Sequence, residues 1–81
     1  MDNTQKVYVA VNEDRLIDGT ILPRAITWED GVRYDIDCVL GCQRAASFKG
    51  GGTGIRYEVR IGERVTYLWL EENRWFVERR G

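Results

Sequence analysis

The chain has 81 residues, 43 % of them hydrophobic and 31 % charged, with a formal net charge of −1 and no histidine. That is enough for one domain with one core, and too little for two; it is not the composition of a disordered chain. No apolar run approaches the roughly 20 residues that a membrane helix needs, and the missing histidine removes the commonest general base and metal ligand.

The single domain spans 1–81, with its strand core at about 6–79. A polar N-terminus, Met1-Asp2-Asn3-Thr4-Gln5-Lys6, lacks an apolar signal core and points to the cytoplasm. Charge is unevenly spread. Residues 1–40 carry 4 basic and 8 acidic side chains, and residues 41–81 carry 8 basic and 5 acidic. The halves therefore differ, at −4 and +3, although most charges fall at alternate strand positions where they form a solvated face.

In chain order, Val7, Val9 and Val11 recur at every second position and predict a strand. Asn12 to Thr20 reads as a polar loop. Pro23 has no N–H to give a ladder, so the strand containing Ala25 to Trp28 begins after it or lies at an edge. Glu29-Asp30-Gly31 is a hairpin turn, since Asp-Gly tolerates positive φ. Val32, Tyr34, Ile36, Cys38 and Leu40 then recur at every second position, with the charged Arg33, Asp35 and Asp37 between the first four, which puts all five on the core side. Gly41 to Gly54 forms a 14-residue connection in which Gln43 to Phe48 suits one helical turn and Lys49 to Gly54 is irregular. Ile55, Tyr57, Val59 and Ile61 repeat the alternation, and Gly62-Glu63 turns the chain as a type II′ hairpin. Strands at about 64–70 and 74–79 flank the turn Glu71-Glu72-Asn73. The fold class is all-β: an antiparallel meander of about six strands closing into an SH3-like barrel, with one long glycine-rich loop. An open sheet that forms a homodimer is the alternative.

Four features carry chemistry. Lys49-Gly50-Gly51-Gly52-Thr53-Gly54 turns backbone N–H groups outward as an anion nest would, with Arg44 and Arg56 nearby. It is not a P-loop, because its lysine precedes the glycines and a strand follows; the plain reading is a flexible connection. Cys38 and Cys42 supply two ligands where structural zinc takes four, so Cys38 reads as a small buried hydrophobe and Cys42 as the more exposed thiol. Asp35 and Asp37 share a strand face about 7 Å apart, yet Arg33 beside them makes surface pairing the better account. Val65 to Leu70 is apolar on both faces, Leu68 and Leu70 on one, Tyr67 and Trp69 on the other. Either a loop covers the second face or an aromatic patch faces a partner.

The run Ile26-Thr27-Trp28-Glu29-Asp30-Gly31-Val32-Arg33-Tyr34-Asp35-Ile36-Asp37 with Val39-Leu40, together with Gly51 to Tyr57, Thr66-Tyr67-Leu68 and Arg74-Trp75-Phe76-Val77-Glu78, resembles a family of small uncharacterised bacterial β proteins. The resemblance covers about 6–79. A weaker similarity extends to small β domains encoded beside translesion-type (Y-family-like) DNA polymerases, through Trp28, Gly31, Tyr34, Tyr67, Leu68, Arg74 and Trp75. The triple glycine departs from that pattern. The resemblance implies an accessory factor, and its matching residues are strand-core types that speak to fold more than activity.

Together these readings describe a non-catalytic interaction module with no cofactor, whose partner is another protein. A nucleic-acid-binding small barrel with a basic loop and an aromatic platform is the alternative. The expected contact residues are Arg44, Lys49, Thr53, Arg56, Arg60, Tyr67 and Trp69, with Arg64 adding to the basic set and the acidic hairpin at 29–37 left outside.

Overall fold

The computed structural model describes residues 4–46 and 53–80, and the side chains of 5–44 and 54–79. Eight strands appear among them: β1 (Thr4–Tyr8), β2 (Ala10–Arg15), β3 (Ile21–Thr27), β4 (Arg33–Asp35), β5 (Cys38–Ala46), β6 (Thr53–Ile61), β7 (Arg64–Glu71) and β8 (Arg74–Arg80). All pairings are antiparallel. They make a five-stranded sheet in the order β1-β8-β7-β6-β5 and a three-stranded sheet in the order β2-β3-β4. No helix is present among the described residues.

The all-β antiparallel expectation holds. The count of about six does not, and the strands form two sheets without closing into a barrel. The reason is bending. Two segments that read as single strands each change sheet midway. At Val9 the chain passes from β1 to β2, and the Val9 N–H donates to the Trp75 carbonyl at 3.1 Å. At Ile36 and Asp37 it passes from β4 to β5; Ile36 N–H donates to Arg24 O and Asp37 N–H to Arg60 O, both at 2.8 Å. Each corner thus leaves one sheet while its neighbour has already bonded the other.

The second corner also slips the side-chain phase. Ile36 and Val39 pack against the core. Cys38 instead pairs with Arg60 and is half-buried, and Leu40, at a register shift between Val39 and Gly41, is 51 % exposed. The one-residue slip turns Cys38 and Leu40 away from the core side where strict alternation puts them, and the shift between Val39 and Gly41 restores the phase, since Cys42 and Arg44 pair with the inner-face Tyr57 and Ile55.

Three further expectations are corrected. Gln43 to Ala46 is not helical; it continues β5, paired with Arg56 back to Thr53. Cross-strand pairing overrides the weak helix preference of Gln, Arg and Ala. The connection expected over 41–54 is therefore mostly two strand arms, and Asn12 to Arg15 likewise belongs to β2. Pro23 lies inside β3, buried opposite Glu13. It is tolerated there because β2 shifts register at Asn12/Glu13, and β4 reaches along β3 only as far as Ala25.

The turns follow their residues. Gly31 has φ 86° and donates to Trp28 O at 2.9 Å. Gly62 has φ 60° while Glu63 does not enter positive φ, the type II′ pattern. Glu72 and Asn73 both do, at 51° and 65°, the type I′ pattern.

Between the sheets Ile26, Tyr57, Val59, Leu68, Leu70 and Trp75 are buried as one cluster. Each contributes about 1.5–3 kcal/mol of apolar transfer. The outer face of the large sheet buries a second pair. Trp69 and Phe76 are cross-strand partners with rings stacked 6.1 Å apart, 5 % and 0 % exposed. The Lys6 ammonium sits 4.7 Å above the Phe76 ring and reaches the Glu71 carboxylate at 3.0 Å.

Candidate binding cleft and outer face

The sheets are pinned together at one end. Tyr57 on β6 donates its hydroxyl to the Ile21 carbonyl on β3 at 2.6 Å, and Trp75 Nε1 on β8 donates to Glu13 Oε1 on β2 at 2.8 Å. The two rings lie 5.2 Å apart. Burial, with the neighbouring Cys42 thiol and then Glu13, pushes the Tyr57 phenol up to about 12, so it stays protonated and able to donate.

At the other end the sheets part. The register Ile26↔Tyr34 and the bond from Trp28 N–H to Val32 O at 2.9 Å set Ile26, Trp28 and Tyr34 on one face of the small sheet. Ile61, its cross-strand partner Arg64, and Val77 face them from the large sheet. Trp28, Tyr34, Ile61, Glu63 and Arg64 line an open cleft of about 690 Å³. An adjoining hollow of about 370 Å³ continues inward past the same Trp28, Tyr34, Ile61 and Arg64 to Ile26 and Val77. One ion pair crosses the mouth, Arg79 to Glu29 at 3.5 Å, with both side chains more than half exposed; such a pair contributes about 0–1 kcal/mol. The β6–β7 hairpin is held by Gly62 N–H donating to Asp37 Oδ2 at 2.6 Å. Arg33 pairs with Asp35 at 3.1 Å. Among the described residues the Arg64 side chain has no ion-pair or hydrogen-bond partner.

Apart from Arg64, the sequence-expected contact residues lie elsewhere. Arg56, Arg60, Tyr67 and Trp69 come together on the outer face of the large sheet through the pairs Arg56↔Trp69, Glu58↔Tyr67 and Arg60↔Val65. The Arg56 guanidinium lies 4.5 Å from the Tyr67 ring centre and 5.9 Å from that of Trp69. Tyr67 is 45 % exposed, whereas Trp69 is buried. Arg44 pairs with Ile55 and so belongs to the opposite face. Thr53 opens β6, its side chain outside the described residues, and Lys49 lies outside them altogether. Glu58, Glu71, Lys6 and Arg74 share the outer face, which is therefore mixed in charge and not uniformly basic.

The sequence reading put Tyr34 and Ile61 in the core phase, gave Trp28 to a strand without assigning its face, and left the hairpin at 29–37 outside the contact site. Alternation gives the face a side chain takes, but not whether the opposing sheet extends far enough to cover it. The one local signal was two aromatics, Trp28 and Tyr34, flanking a tight turn at a sheet end.

No family model, no curated protein and no solved structure matches the chain.

Proposed function

We propose that the protein is a non-catalytic interaction module, a cytoplasmic accessory factor that receives a segment of another protein in the cleft between its sheets. The observation that carries this reading is the cleft itself. Trp28, Tyr34 and Ile61 give it an apolar and aromatic wall, Glu63 and Arg64 a charged one, and its volume falls within the roughly 300–1,000 Å³ of ligand sites. In fold terms we read the two sheets as an SH3-like barrel opened along this cleft, in keeping with the two corners at Val9 and Ile36–Asp37 that carry the chain from sheet to sheet.

The test is affinity capture of the partner followed by titration with purified variants. Trp28→Ala and Tyr34→Ala are expected to weaken binding by about ten-fold or more, a loss of about 1.4 kcal/mol, while Arg56→Ser with Arg60→Ser leaves it intact. The opposite pattern rejects the cleft as the site.

A second reading, nucleic-acid binding, is favoured by the clustering of Arg56 and Arg60 with exposed Tyr67 on one face. It predicts affinity for single-stranded DNA that drops steeply between about 50 and 200 mM salt. The carboxylates on that face weigh against it.

A further inference from the structure

We infer that the cleft takes its partner as an added β-strand at the free edge of β4, and that this strand carries an apolar side chain with an aspartate or glutamate two positions away. The inference rests on the cleft being the partner site, and three observations support it.

First, β4 is an unpaired edge. The small sheet ends there, and the chain joins the large sheet only at Asp37. Beyond that point β4 and the β6–β7 hairpin diverge as the two sides of the cleft mouth. Unpaired strand edges accept extended segments by main-chain hydrogen bonding. Second, Tyr34, the middle residue of β4, projects into the cleft. A strand added beside it therefore sends alternate side chains inward next to Tyr34 and Trp28. Third, Arg64 lines both the outer cleft and the inner hollow, and its guanidinium has no ion-pair or hydrogen-bond partner among the described residues. Of the other charged residues lining them, Glu63 reaches only the outer part, Glu78 only the hollow, and Arg79 is paired with Glu29. An inward residue two positions from the apolar one reaches the mouth on the same face, and an anion there pairs with Arg64.

The experiment uses short synthetic β-forming peptides with a central phenylalanine. One series carries aspartate two positions on, a second carries lysine at that place, and a third moves the aspartate to the adjacent position, which points out of the cleft. Binding is followed by calorimetry, with circular dichroism checking that each variant is folded. The first series is expected to bind at least ten-fold tighter than the others. Methylating the peptide's backbone nitrogens should abolish its binding, and Arg64→Glu should invert the preference between aspartate and lysine. Equal affinities across the series, an unchanged preference in Arg64→Glu, or no binding by any peptide up to about 1 mM overturns the inference. If Trp28→Ala and Tyr34→Ala still lose the captured partner in that event, the cleft remains the site and only the strand-and-acid recognition falls. If they retain the partner, the cleft reading falls with it.

Discussion

The Tyr57 hydroxyl donates to the Ile21 carbonyl at 2.6 Å, joining the middle of the large sheet to the start of β3 across the core. Tyr57→Phe removes the donor and leaves a carbonyl without its partner. An unsatisfied buried acceptor costs about 1–3 kcal/mol, so a stability loss of about 2 kcal/mol is expected in urea unfolding at neutral pH. Because the phenol is raised from 10.0 to about 12 in the folded state, the folded form binds its proton more tightly than the unfolded form. The associated stability is present below pH 10 and is lost as pH rises from 10 to 12. The gap between wild type and Tyr57→Phe should therefore narrow over that window. A constant gap would show that the hydroxyl proton is not held as described.

Lys6 and Glu71 meet at 3.0 Å with side chains only 19 % and 12 % exposed. Their worth lies between that of a surface pair, about 0–1 kcal/mol, and the 3–5 kcal/mol lost on breaking a buried one. Lys6→Met keeps the aliphatic cover over Phe76 but strands the carboxylate, whose Oε2 already lacks a hydrogen bond. A loss of about 2 kcal/mol is expected, with most of it recovered in the double variant Lys6→Met/Glu71→Gln. The hydrogen bond to Glu71 raises the Lys6 ammonium, so the stability linked to that proton is lost as pH rises through the alkaline range.

Gly54 is buried where β6 passes Glu71. A Cβ there would lie 2.5 Å from Glu71 Cγ and 2.9 Å from the Leu70 carbonyl oxygen. Gly54→Ala should destabilise by about 1–3 kcal/mol, as overpacking does. Adding Glu71→Ala should restore only part of this in thermal melts, because the backbone carbonyl stays in place. Full restoration would assign the whole clash to the Glu71 side chain.

The β7–β8 turn holds Glu72 and Asn73 in the left-handed region. Replacing the pair by Asn-Gly supplies the residues that a type I′ turn favours. A gain of about 0.5–1 kcal/mol is expected in urea unfolding from relief of the left-handed strain, and no gain would mean that the turn geometry is not limiting.

Period-two alternation was enough for the antiparallel strands, the three hairpin turns and the shared core face of Tyr57 and Val59, because each follows from a residue and its immediate neighbours. Cys42 was read as the more exposed thiol and is so. Local pattern also put Arg56, Arg60 and Tyr67 on strands whose register unites them. It had no means to find the corners. Nothing in Val9 or Ile36-Asp37 announces a bend; the chain turns there because β8 and β6 offer carbonyls that the departing strand can bond. Those corners flip Cys38 and Leu40 outward, divide six apparent strands into eight, and tilt the small sheet so that one end closes on Tyr57 and Trp75 while the other opens around Trp28 and Tyr34. Whether an apolar side chain becomes core or cleft wall depends on how far the opposite layer extends over it, and that is a property of the assembled sheets.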